Sequence, residues 1–149
     1  MKIEGTYAIP APRGVVWRAL LDPEVLQRSI PGCEKLVPAG ENRYTAVMKA
    51  GVGAIKGTFN SEFSISDIDP EKGYTLSTRA KSSVGFVEGS GRLQLEDGSG
   101  PEQTTVKFSG EVRVGGMLAS VAGRLMEAAA QKNIRDMFAN FTAEVAKRK

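Results

Sequence analysis

The chain has no histidine and only one cysteine, Cys33, in 149 residues. Without histidine it lacks the usual general base, the commonest metal ligand, and the Ser-His and Cys-His nucleophile pairs. A lone cysteine excludes an internal disulfide, fits a reducing compartment and provides no second thiol for a metal site. Cys33 stands at a strand start and is expected to be a small buried residue. No segment approaches the ~20 apolar residues of a membrane-spanning helix. Met1-Lys2-Ile3-Glu4-Gly5 has no apolar stretch of signal-peptide type. The net charge of +3 is small and its bases are dispersed, with no aromatic or recognition-helix pattern, which argues against nucleic acid. The one sizeable basic run, Lys147-Arg148-Lys149, reads as a solvated tail. Gly51-Val52-Gly53-Ala54-Ile55-Lys56-Gly57 lacks the spacing and the Lys-Ser/Thr pair of a phosphate loop. Repeats, low-complexity tracts and linkers are missing too. The chain reads as one cytoplasmic domain, residues 1–149, with room for a real core.

What is present is a run of strands. Residues 2–9 alternate, with Ile3, Tyr7 and Ile9 on one side. Pro12 opens a helix to about Leu21, and Asp22-Pro23-Glu24 starts another with a capping acid and a first-turn proline. Strands are expected over 33–38, 43–50, 57–68, 74–81, 86–96 and 104–114, followed by a long amphipathic helix from about Met117 to Lys147. The fold class is α+β: a seven-stranded antiparallel curved sheet in the order β-α-α-β6-α, wrapped around the last helix.

The turns alternate in chemistry. The breaks near 38–42, 69–73 and 97–102 are acidic and rich in Gly and Pro. Those near 51–56, 82–85 and 115–117 carry Val52, Ile55, Val84 and Met117, with Phe86 adjoining and Lys49, Lys56, Lys81 and Arg113 flanking. Successive turns of a meander fall at opposite ends of the sheet, so one end is solvated and the other apolar and basic. That second end is expected to face a membrane or a partner.

The inward face looks hollow. It carries Ala46, Met48 and Ala50, then Phe59 and Phe63, then Gly89, Gly91 and Leu93, then Gly110 and Val112. The last helix answers with the stripe Leu118, Val121, Ala122, Leu125 and Ala129. Small residues facing small residues mean close backbone approach or a cavity. The apolar end favours a cavity for a hydrophobic ligand, lined by these residues. Glu62, Glu88, Glu96 and Glu111 fall on the outer face, so no carboxylate pair converges in the cleft. Tyr7, Tyr44, Tyr74, Arg124 and Arg135 are the candidates for any enzymatic role.

Four stretches, Ile30-Pro31-Gly32-Cys33-Glu34, Gly53-Ala54-Ile55-Lys56-Gly57, Gly85-Phe86-Val87-Glu88-Gly89 and Val112-Arg113-Val114-Gly115-Gly116-Met117-Leu118-Ala119, resemble the carbon monoxide dehydrogenase G-subunit family. The element order resembles its START/Bet v 1-like, helix-grip superfamily. The resemblance covers nearly the whole chain. It implies a non-catalytic accessory protein that links a molybdenum hydroxylase-type dehydrogenase to the inner face of the cytoplasmic membrane. It also implies a bound membrane quinone or lipid and no covalent cofactor. The alternative is a small polyketide cyclase or dehydratase-like enzyme acting in the same cavity; a protein-interaction module with a filled interior is a third reading.

Overall fold

Alternating apolar and polar residues give seven strands, and the turns set where they stop. The computed structural model describes residues 1–121 and 123–148. Ala122 and Lys149, named above in the helix stripe and the basic tail, lie outside the described residues. The strands are β1 (Lys2–Ile9), β2 (Cys33–Pro38), β3 (Arg43–Val52), β4 (Ile55–Asp69), β5 (Gly73–Ser82), β6 (Gly85–Asp97) and β7 (Thr104–Gly115). All neighbours are antiparallel, in the order β1-β7-β6-β5-β4-β3-β2. β2 to β7 form a meander, and β1 closes against β7. Two-residue turns join β3 to β4 and β5 to β6, so the apolar end is tight. Gly53 in the first of them has φ +62°, which suits a residue without Cβ.

Helix α1 (Arg13–Leu20) buries Val16, Trp17, Ala19 and Leu20. Helix α2 (Pro23–Ser29) begins as the sequence indicates: Asp22 accepts from the Glu24 N–H at 2.9 Å and Pro23 occupies the first turn. The C-terminal element departs from expectation. It is not one continuous helix from Met117. Gly116–Ser120 form a 3-10 turn, Val121 is extended, and helix α3 runs Gly123–Ala146.

The core is divided. The larger cluster joins α1 and α2 to the acidic half of the sheet and the C-terminal half of α3, through Trp17, Leu20, Ile65, Tyr74, Leu95, Val106, Phe138 and Phe141. The smaller one sits at the apolar end, where Phe59, Ala80, Leu118 and Met126 are buried and Val52, Ile55, Val84, Val87, Val114 and Val121 pack against them. The sheet backbone comes near α3 chiefly at β1 and β3, while the middle strands stand further off.

Candidate functional site

Between the two clusters the inner face is built of small residues. Pairing sets Ser61 between Ala46 and Ala80, Thr78 beside Gly89, and Gly89 beside Val112. Building a Cβ on Gly89 brings it nearest to Glu111, Val112 and Thr78, all sheet atoms. A cleft follows, lined on the inner side by Thr78, Gly89, Val112 and Val114 and on the helix side by Val121, Gly123, Met126 and Glu127. It belongs to a hollow of about 1250 Å³. That hollow also takes in a depression on the outer face of β5–β7, beside Arg79, Glu88, Glu111 and Arg113, so the sheltered inner share is smaller. The cleft reaches the N-terminal end of β1, where the Met1 ammonium donates to the Val112 carbonyl at 2.9 Å.

The expected lining is redistributed. Gly89, Val112 and Val121 border the cleft. Phe59 and Leu118 lie in the smaller cluster at the apolar end. Ala46 is buried beside Ser61, and Met48 and Phe63 are half-buried on the same face. Gly91 and Gly110 do not border empty space. A Cβ on Gly91 would meet the Phe108 ring at 2.8 Å, and one on Gly110 would meet the Ser90 carbonyl at 2.7 Å. Here close approach, not cavity, explains the glycine. Leu93 belongs to the larger core. Ala50 is exposed. Leu125 is 50% exposed and reaches the Gly53 turn. Ala129 is half-buried.

The break at Val121 accounts for the Leu125 error. It resets the helical phase, so Met126, 9% exposed, takes the inward place. Thr78, Val114, Met126 and Glu127 were not among the residues expected to line the site. Strand alternation carried a signal for the first two; nothing local carried one for the helix pair.

At the apolar end, Val52, Ile55 and Val84 are half-buried against the smaller cluster rather than freely exposed. Met117 is 57% exposed, and with Leu125 it is the most exposed large hydrophobic among the described residues. Phe86 lies on the outer face, over Gly115 and 5.2 Å below the Arg113 guanidinium. Arg113 also pairs with Glu88 at 2.8 Å. Its hydrogen bond, helped by Arg79 and Lys81, holds the Glu88 carboxyl below the ordinary carboxylate range. Lys49 lies 3.6 Å from Glu34; Lys56 and Lys81 have no acid within 4.0 Å among the described residues.

The groups considered for catalysis are engaged elsewhere. Tyr7 stacks on Phe138 at 4.2 Å, and burial raises its pKa against the opposing charge of Arg135. Tyr74 is buried and donates to the Leu20 carbonyl at 3.5 Å; burial, with Tyr44 adding, raises its pKa well above the phenol value. Arg124 and Arg135 are exposed rather than inward. Cys33 is half-buried, its thiol donates to the Lys35 carbonyl, and burial pushes its pKa up, away from a reactive thiolate. Among the described residues no three His, Cys, Asp or Glu side chains gather as metal ligands, and no helix is long and apolar enough to cross a membrane.

Residues 5–146 match the family of the carbon monoxide dehydrogenase G subunit, CoxG. The chain belongs to the CoxG family. Solved structures share the fold. A conserved protein from Geobacillus kaustophilus is 29% identical, with TM-score 0.93, over 99% of this chain and 96% of that one. A START superfamily protein from Mycobacterium smegmatis is 12% identical, with TM-score 0.74, over 99% of each chain. The Zhui aromatase/cyclase from Streptomyces sp. R1128 is 20% identical, with TM-score 0.66, over 99% of this chain and 94% of that one. The fold is thus the START/Bet v 1-like helix grip, with a CoxG sequence upon it. No curated protein matches the sequence.

Proposed function

We propose that this CoxG-family protein holds a neutral hydrophobic molecule, a membrane quinone or lipid, in the cleft between α3 and β5–β7. It acts as a non-catalytic accessory factor, bringing a molybdenum-containing carbon monoxide dehydrogenase-type enzyme to the inner face of the cytoplasmic membrane. The observation that carries the reading is the division of the core. Interiors normally pack near crystal density, yet here two apolar clusters stay separate and a cleft with Val112, Val114, Val121 and Met126 on its walls lies between sheet and helix. Burying ~300 Å² of apolar ligand surface at ~25 cal/mol per Å² gives several kcal/mol before the cost of association. The partner enzyme is argued from the family, and the membrane from the apolar, basic end.

Val112→Phe tests the cleft. In a filled core the added ring would cost about 1–3 kcal/mol; here it enters open space. The variant is expected to unfold near the wild-type midpoint and to yield much less neutral lipid or quinone on organic extraction and mass spectrometry. Equal recovery from both proteins would remove the cleft from the proposal. The aromatase/cyclase likeness supports a second reading, an enzyme using the same cleft. It asks for a proton-transfer group there. An activity abolished by Glu127→Gln, the titratable side chain on the helix side of the cleft, while ligand recovery persists would put the enzyme reading in place of the accessory one.

A further inference from the structure

Ser61 sits on the inner face of β4, 3% exposed, and its Oγ has no hydrogen-bond partner. Its cross-strand neighbours are Ala46 and Ala80, and neither side chain can pair with a hydroxyl. A buried, unpaired hydroxyl costs roughly 1–3 kcal/mol, so native proteins keep few of them. Serine's other usual use, a bond back to a nearby carbonyl, is not made here. Ser29 shows the contrast: equally buried, it donates to the Val25 carbonyl at 2.6 Å.

The surroundings place Ser61 next to the cleft. Met126 belongs to the same apolar cluster as Phe59 and Ala80, which border Ser61, and it also lines the cleft. Thr78, two residues before Ala80 on the same face of β5, also lines it. Met126 is unbranched and flexible, a side chain able to move aside. The neighbours of Ser61 on the inner face, Ala46, Ala80, Phe59 and Phe63, carry no charge.

We infer that Ser61 is the specificity-determining contact of the cleft. Its hydroxyl donates to a neutral oxygen, a carbonyl, ether or alcohol, on an otherwise hydrophobic ligand that displaces Met126. A carboxylate or phosphate would be buried there without a counter-charge, which is costly. The inference rests on the proposed ligand-binding role and narrows the ligand's chemical class.

The test compares two probes of nearly one shape: 2-methyl-1,4-naphthoquinone and 2-methylnaphthalene, which lacks the oxygens. Binding of each to wild type and to Ser61→Ala is measured by fluorescence quenching of the single tryptophan or by calorimetry. Wild type is expected to prefer the quinone. Ser61→Ala should lose roughly three- to tenfold of that preference, the worth of one hydrogen bond, with hydrocarbon binding unchanged. The unliganded variant should unfold at or above the wild-type midpoint, since it removes an unpaired group. If Ser61→Ala keeps the full preference, or unfolds well below wild type, Ser61 is not the anchor although the cleft still binds. If neither probe binds wild type, both the anchor and the ligand-binding reading fall.

Discussion

Leu125 and Met126 are neighbours in the chain with opposite surroundings, one half-exposed at the Gly53 turn and one nearly buried. Periodicity counted from Met117 favours Leu125 as the inward residue, because it assumes an unbroken helix. The extended backbone at Val121 shifts the count by one. The two truncations separate these readings. Met126→Ala should cost about 2 kcal/mol or more, as for a buried Met, whereas Leu125→Ala should cost under ~1 kcal/mol. Denaturant unfolding of both variants checks this, and the reverse order would restore the unbroken stripe. Glycines carry the same ambiguity. Gly89 borders the cleft while Gly91, two residues on, seats the Phe108 ring. In the sequence they are indistinguishable, because what a missing Cβ makes room for comes from another strand.

At the scale of elements, α3 is tied to α2 as well as to the sheet. Glu144 is 6% exposed, with Arg28 of α2 at 3.7 Å and Lys147 at 2.9 Å. Asn140 donates to the Ser29 carbonyl at 3.0 Å, and Arg148 lies 3.1 Å from Asp22. The hydrogen bond from Lys147, followed by the charges of Lys147, Arg28 and Arg148, holds the Glu144 carboxyl below its ordinary range. A carboxyl depressed by folding stabilises the native state fully above its unfolded pKa, and that contribution is lost as pH falls through the folded pKa. Wild type should therefore lose stability on acidification more steeply than Glu144→Gln, which has no such carboxyl to protonate. Thermal unfolding from neutral pH down through the carboxylate range measures the difference; parallel curves would show that the clamp contributes nothing. The caps of α2 were legible in Asp22-Pro23-Glu24. The clamp was not, since Glu144 meets Arg28 only when α2 and α3 are packed together.

For the whole molecule, the two ends of the sheet differ as the alternating turns indicate, but the apolar end is mostly plugged. Val52 and Ile55 support the smaller cluster, so acidic residues there would damage the fold as well as any docking. Met117 and Leu125 are the exposed pair, with Lys56 and Lys81 near the same end. Met117→Asp with Leu125→Asp should abolish sedimentation with anionic liposomes and leave the unfolding free energy within about 1 kcal/mol of wild type. Wild-type binding should weaken as salt is raised, since exposed charges are screened; undiminished binding by the double variant would locate the docking surface elsewhere. The strands, the meander of the last six, the two early helices and the polarity of the ends were all legible in the sequence, because alternation, caps and turn residues are local chemistry read along one chain; the pairing of β1 with β7 was not. Which glycines are filled, which face α3 turns inward after Val121, that Ser61 lacks a partner, and which residues line the cleft were decided by tertiary structure. Each depends on atoms contributed by segments far apart in the chain, and packing joins those only after the local elements have formed.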